Sequence, residues 1–215
     1  MGNEIKTVVV LGMHRSGTSL TAGLLSALGV NMGELIRPSK KFNPKGYFED
    51  RHFLDLNEEI LKAAGGRWDD PPSTEDVLAV KNQFNSEIAE LVSSRQFGWW
   101  GWKDPRNCLT LSLYWECLVS PSVIVCKRNL EEVGRSLQRR YGWDRERGKE
   151  LGEIYNRRID DFVECFNPRK VVINFRDYRE DAAGSVDRLI EFLGIEVGSW
   201  RRARLIRFID PLLMH

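Results

Sequence analysis

Four short apolar runs stand out from the polar background of the chain: Thr7–Leu11, Phe97–Trp102, Ser122–Cys126 and Val171–Phe175. Each is too short for a core helix and lacks strict alternation. That pattern predicts strands buried on both faces, as in a parallel sheet. After each run, apolar positions recur at helical spacing. They predict helices at about Leu20–Leu28, at Cys108–Leu118, from Asn129 onward, and at Ala182–Leu193. Asn129 with Glu132 three residues later has the form of a capping box. Gly194 supplies the last helix with a stop. Strands that alternate with helices predict an α/β protein with right-handed crossovers. Its layers are a central parallel sheet of about four to five strands and helices on both faces.

The stretch Gly29–Gln96, between the first two strands, is long for a crossover. It holds a polar loop, Arg37–Tyr47, and helical patterns near Glu49–Ala64 and Thr74–Ser94. A further helix is predicted over Arg145–Phe166, before the fourth strand. Ligands of open α/β sheets bind beyond the carboxyl ends of the strands. The insert, about residues 29–96, is therefore expected to form a helical lid there. A length of 215 residues suits one domain, 1–215, carrying this insert.

Composition narrows the partners. Apolar residues make up 42% of the chain, enough for a core, and Lys+Arg 32 against Asp+Glu 31 leaves a net charge of +1. General nucleic-acid binding needs a basic face, so that class is not expected. Basic residues do gather between Lys127 and Arg147, where a solvated helix face accounts for most of them. The four cysteines, Cys108, Cys117, Cys126 and Cys165, form no Cys-x-x-Cys pair, and three His residues add little, so no zinc site is expected. Glu4 and Lys6 precede a strand rather than a leader-like apolar stretch. No apolar run nears the ~20 residues of a membrane span. The expected setting is a reducing cytoplasm.

The chemistry concentrates at the first strand's end. Gly12-Met13-His14-Arg15-Ser16-Gly17-Thr18-Ser19 follows a strand and opens a helix, with two glycines five apart. Such a loop turns its N–H groups inward, and the helix N-terminus adds partial positive charge, so an anion belongs there. A phosphate loop of the nucleoside-triphosphate type carries Lys after the second glycine. Here that place is Thr18, and the cation is Arg15, inside the loop. A kinase also needs a metal-binding hydroxyl and an acid at a neighbouring strand end. Ser19 and Asp104 are the candidates. The third strand, however, ends in Lys127-Arg128, which suits direct neutralisation of anions. Arg128 and Ser136 share a face across two helical turns, and a guanidinium with a hydroxyl makes a phosphate clamp.

Taken together, these residues resemble the sulfotransferases that use 3′-phosphoadenylyl sulfate (PAPS). The loop Gly12–Ser19 looks like that family's 5′-phosphosulfate loop, in which a basic residue precedes Ser-Gly-Thr. Val123–Leu130 with Ser136 looks like the 3′-phosphate segment, an Arg and a Ser eight apart. Asn174–Gly194 is similar to the late strand–helix block. The resemblance implies a P-loop-type three-layer fold and transfer of a sulfuryl group from PAPS to a hydroxyl or amine, with no metal. It implies a donor site of Gly12, His14, Arg15, Ser16, Gly17, Thr18, Ser19, Arg128 and Ser136. Arg15 would stabilise the bridging oxygen and Lys103 would assist at the sulfonate.

Where the family's cytosolic branch has Lys-Thr-His, this chain has Trp102-Lys103-Asp104-Pro105-Arg106. It is closer to the bacterial and carbohydrate-type branches, which often use a carboxylate base. Glu49, after the rigid turn Asn43–Phe48, is the first candidate base. Asp104 is second, His14 and His52 third. Of the seven tryptophans, Trp99, Trp100 and Trp102 are expected in the core, while Trp68 and Trp143 are placed to stack on adenine or a sugar. The expected acceptor is a carbohydrate or other small molecule, and the expected assembly a monomer or homodimer. A P-loop small-molecule kinase using ATP–Mg²⁺ and an inactive nucleotide-binding module remain the alternatives.

Overall fold

A computed structural model of the protein describes residues 5–36 and 45–210. Most of the polar loop after Arg37 and the last residues of the apolar tail lie outside them. Four strands form one parallel sheet: β1 (Lys6–Leu11), β2 (Trp99–Lys103), β3 (Pro121–Lys127) and β4 (Arg169–Asn174), in the order β2-β1-β3-β4. The register pairs Val10 with Lys103 and with Ile124, and Lys127 with Asn174. The ends of all four strands, and the loops after them, thus share one edge.

Alternation along β1 divides the core. Val9 and Leu11 pack on one face with Phe53, Trp100, Trp102, Tyr114 and Tyr155; Val8 and Val10 pack on the other with Leu24, Leu25, Ile173 and Leu189. The first face carries α2 (Arg51–Ala63), α3 (Thr74–Ala79), α4 (Lys81–Arg95), α5 (Asn107–Tyr114), α6 (Leu130–Tyr141) and α7 (Arg145–Phe166). The second carries α1 (Thr18–Ala27), α8 (Phe175–Glu180), α9 (Ala182–Leu193) and α10 (Ser199–Phe208). Helices on both faces of a parallel sheet give the three layers expected. Phe53 stacks against Trp102 (centroids 4.3 Å apart) and Trp100 (6.3 Å), which lie 5.6 Å from each other, and all three are buried. Those two tryptophans therefore belong to the core.

Local chemistry fixes most helix ends. Asp50 accepts from His52 N, Asp144 from Glu146 N, and Asn129 from Glu131 N and Glu132 N. Glycine in the left-handed region closes α6 at Gly142 and α9 at Gly194. The structure refines several boundaries. Thr74–Ser94 is two helices joined at Val80, and Phe175 opens α8 rather than ending β4. Glu49 precedes the cap Asp50 and so lies outside α2, not in its first turn. Among the described residues, no helix is long and apolar enough to cross a membrane.

Candidate active site

The loop after β1 is built for an anion. Gly12 (φ 151°) and Gly17 (φ 88°) occupy left-handed backbone that other residues adopt only under strain. A Cβ on Gly12 would meet Cys126 O at 2.7 Å, and one on Gly17 would meet the Phe175 ring at 2.6 Å. The Gly12 N–H donates to Cys108 Sγ (3.2 Å) and the Ser16 N–H to Met13 O (3.1 Å). No side chain caps α1 at Gly17. Among the described residues, the first-turn N–H groups of this helix, from Thr18 and Ser19 on, have no side-chain acceptor, the arrangement that binds a phosphate or sulfate group.

Arg15 is also left-handed, at φ 70°. Two partners hold it: its Nε donates to Ser136 Oγ at 2.9 Å, and its carbonyl accepts from Arg128 Nη1 at 2.9 Å. Arg128 in turn bonds Glu132 (2.8 Å) and lies 4.0 Å from the centre of the Phe175 ring. Both segments singled out in the sequence thus meet in space. Ser136 is buried behind Arg15. Arg128 lines a neighbouring groove of about 700 Å³ between the start of α6 and α8, together with Arg135, Phe175, Arg176 and Arg179.

Beside the loop lies a cavity of about 240 Å³. It brings together His14, Arg15, Thr18, Ser19, Glu49 and Lys103. Lys103 Nζ donates to Glu49 Oε1 at 2.5 Å, and both residues are buried. Lys103 is the last residue of β2. Glu49 is carried there by the extended segment ahead of α2, where its carbonyl accepts from Ile36 N (2.9 Å). Gly12, Ser16 and Gly17 form the backbone of the loop rather than the cavity wall.

Asp104 is placed otherwise. It is 1% exposed and does not line the cavity. Its Oδ1 accepts from Arg106 N (3.0 Å) and Arg106 Nη1 (2.9 Å), and its Oδ2 from Asn57 Nδ2 (3.0 Å). Asn57 continues the buried network to Asn107, Thr110 and Tyr114. His52 is half exposed, contacts Glu34 and lies off the cavity. Trp68 lines the cavity, but its ring is engaged with His14 (centroids 4.3 Å apart) and stacked with Trp143 (5.5 Å). The two indoles thus turn toward each other.

Tyr47, Arg106, Arg140 and Tyr141 also line the cavity, and sequence reasoning passed over their roles. Arg140 sits near both tyrosine rings, at 5.9 and 5.3 Å. Only the fold brings these residues together, because they come from the insert, the loop after β2 and the end of α6. The basic cluster Lys127–Arg147 was the available signal for Arg140, and Asp104-Pro105-Arg106 for Arg106.

The positive field shows in the titrating groups. His14 is held well below its usual range by burial first, then by Arg106, Lys103, Arg140 and Arg15. Arg15 is lowered by burial and by Arg140 and Arg128. Burial alone would lower Arg106 too, but Asp104 and Glu58 reverse it and raise its pKa. Burial pushes the Cys108 thiol up to about 12.

Residues 7–199 match the model of the sulfotransferase family. The chain belongs to the sulfotransferase family. It is accordingly an enzyme of PAPS-dependent sulfuryl transfer. Among solved structures, this sulfotransferase is similar to the sulfotransferase domain of the Synechococcus PCC 7002 olefin synthase. The TM-score is 0.61 at 17% identity, over 100% of this chain and 87% of that one. It is similar to sulfotransferase STF9 from Mycobacterium avium at TM-score 0.58 and 16% identity, over 97% of this chain and 68% of that one. A retinol dehydratase complexed with androsterone and the inactive cofactor PAP gives TM-score 0.50 at 16% identity, over 95% of this chain and 64% of that one. At these identities the likeness establishes the shared fold. No match was found among curated proteins.

Proposed function

We propose that Arg15, Glu49 and Lys103 carry sulfuryl transfer in the 240 Å³ cavity, with the donor nucleotide spread across the phosphate loop into the groove beside it. One observation carries this reading: the buried Lys103–Glu49 pair shares a single cavity with Arg15 and the uncapped start of α1. When bound, PAPS supplies the sulfuryl group, whose sulfur bonds the acceptor oxygen as its bond to the 5′-phosphate oxygen breaks, leaving adenosine 3′,5′-bisphosphate.

The chain's residues fit that chemistry. The N–H groups of Thr18 and Ser19 hold the 5′-phosphate, while Gly12 and Gly17 let the backbone approach. Arg15 neutralises charge that develops as the bond breaks, the kind of fixed stabilisation that dominates many enzymes. Lys103 holds the sulfonate and orients Glu49 through their hydrogen bond. Glu49 takes the acceptor's proton, so the proton lost from the hydroxyl ends on its carboxylate. Arg128, exchanging Glu132 for phosphate, grips the 3′-phosphate with Ser136. Asp104 acts through Arg106 as a positioning residue rather than as the base. Fixed cations neutralise the donor without a metal. The chain acts as one domain, 1–215, with residues 29–96 closing over a small-molecule acceptor, as a monomer or homodimer in the cytoplasm.

The test has two parts. Adenosine 3′,5′-bisphosphate without Mg²⁺ should raise the melting temperature by mass action on the native state, and ATP–Mg²⁺ should raise it far less. Glu49→Gln should then lower bisphosphate release from PAPS by about 10²–10⁴-fold, the range for a general base, with bisphosphate affinity retained. A larger shift with ATP–Mg²⁺, or full activity in Glu49→Gln, would overturn the reading.

A further inference from the structure

Tyr47 and Glu49 line the cavity, but Phe48 between them turns away and packs with the core on the second face of the sheet. Its backbone is left-handed, at φ 55°. A bulky side chain adopts that conformation at a cost, and it persists only where the surroundings over-determine it. The residue this turn aims is Glu49. The bond from Ile36 N to Glu49 O (2.9 Å) fixes the chain beyond Glu49, and the turn at Phe48 fixes how the chain enters it. The other end of the side chain is held by Lys103 at Oε1 (2.5 Å).

What holds Phe48 is the last residue of α10, Phe208. The two rings meet edge-on, with centroids 6.3 Å apart. Both reach Gly23 on α1, where a Cβ would stand 2.6 Å from Phe208 and 3.0 Å from Phe48. A side chain at this position would have to displace them. Lys45 adds a second tie, across 163 positions of sequence: its Nζ donates to Phe208 O at 2.6 Å and lies 4.9 Å from the centre of the Phe208 ring. Gly23, Lys45, Phe48 and Phe208 all lie off the cavity wall, so these contacts act on the site through Glu49. A general base must come within about 2.6–3.2 Å of the atom whose proton it takes, so the aim of its backbone matters. Resting on the reading of Glu49 as the base, we propose that Phe208 and Phe48 are positioning residues for it. The end of α10 holds Phe48 in its left-handed turn, and that turn aims Glu49 at Lys103 and the acceptor. Without the Phe208 ring, Phe48 relaxes to ordinary backbone and the Glu49 carboxylate leaves Lys103.

The Lys103 ammonium group reports where Glu49 is, whatever the acceptor. Nitrogen-15 NMR of the lysine side chains, with Lys103→Arg to assign the signal, should show the Lys103 resonance displaced in Glu49→Gln. Phe208→Ala should displace it in the same direction, while calorimetric titration finds bisphosphate affinity within about twofold of wild type. Release of bisphosphate from PAPS should fall about tenfold or more in Phe208→Ala. Added to Glu49→Gln, the same substitution should change release less than about twofold, whereas a general structural defect would lower it by one factor in both backgrounds. Gly23→Ala displaces both rings while giving α1 a better helix former, so it reads the same contact even where Phe208→Ala fails to fold. Full release in Glu49→Gln would overturn the base reading and this inference with it. With Glu49→Gln impaired, an unmoved Lys103 signal, undiminished release, or an equal loss in both backgrounds would overturn the positioning role alone.

Discussion

Arg15 Nε donates to Ser136 Oγ at 2.9 Å across 121 positions of sequence. This bond joins the loop that would hold one end of the donor to the helix that would hold the other. The Ser136 hydroxyl occupies Arg15 in this structure, and a 3′-phosphate would compete for it. Ser136→Ala should therefore weaken adenosine 3′,5′-bisphosphate about tenfold or more, since a hydrogen bond to a charged group is worth about 1.5–3 kcal/mol. It should leave adenosine 5′-monophosphate affinity nearly unchanged. Calorimetric titration of the two nucleotides gives the ratio, and an equal loss for both would show that Ser136 serves only the loop.

Gly17 and Gly142 separate backbone strain from packing. Both are left-handed, at φ 88° and 74°. A Cβ on Gly17 would press into the Phe175 ring at 2.6 Å, whereas nothing lies within 4 Å of one on Gly142. Gly142→Ala should cost only the left-handed penalty, about 1–2 kcal/mol. Gly17→Ala should add an overpacking cost of about 1–3 kcal/mol and abolish the bisphosphate-induced thermal shift. Denaturant unfolding of the two variants checks the difference.

The layers of this protein were legible because apolar runs and capping residues act locally. Asn129 caps α6, Gly194 ends α9, and α7 and α9 run over the spans their periodicity predicts. The phosphate loop was legible because two glycines at fixed spacing meet a backbone need. The cavity wall was not. Glu49 and Lys103 are 54 residues apart, and nothing in either segment announces the other. Asp104 looked like a candidate base from its strand-end position. What removes it from the cavity is a set of contacts with Asn57 and Arg106 that depend on how α2 packs over β2. Trp68 and Trp143 read as stacking surfaces for a ligand, yet long-range packing pairs them.

The Asp104 network predicts a large stability effect beside the loss of turnover that comes through Arg106. The carboxylate is buried and accepts three hydrogen bonds, two of them from Arg106. Asp104→Ala strips a buried guanidinium of one partner and leaves Asn57 Nδ2 with one acceptor fewer. Breaking a buried pair in this way costs about 3–5 kcal/mol. The expected result is a large fall in the unfolding midpoint. Unchanged stability with lost turnover would instead return Asp104 to the catalytic group.

Thiol chemistry offers an independent check of the loop. Burial pushes Cys108 and Cys126 up to about 12, and neither is exposed. Thiolate is the reactive form, so both should resist alkylation. Cys165 is exposed and should react first. Mass spectrometry of iodoacetamide-treated native protein should show Cys165 modified while Cys108 and Cys126 become available only on unfolding. Rapid labelling of Cys108 in the native state would contradict the Gly12 N–H···Sγ contact that seats the loop.

His14 predicts how stability responds to acid. Burial, together with Arg106, Lys103, Arg140 and Arg15, holds its folded pKa well below the usual 6.5. Above pH 6.5 the imidazole is neutral in both states and contributes no pH dependence. As pH falls below 6.5, the unfolded chain binds a proton that the folded chain refuses. By linkage, stability then falls, with a slope approaching ~1.4 kcal/mol per pH unit until the folded pKa is reached. His14→Gln lacks this proton and should lose less stability than the wild type between pH 6.5 and 5. Bound bisphosphate brings negative charge to the loop, raises the His14 pKa and should flatten the wild-type profile in the same window. Urea unfolding across that range, with and without bisphosphate, measures both effects. An identical acid slope in His14→Gln and wild type would place the imidazole outside the positive field.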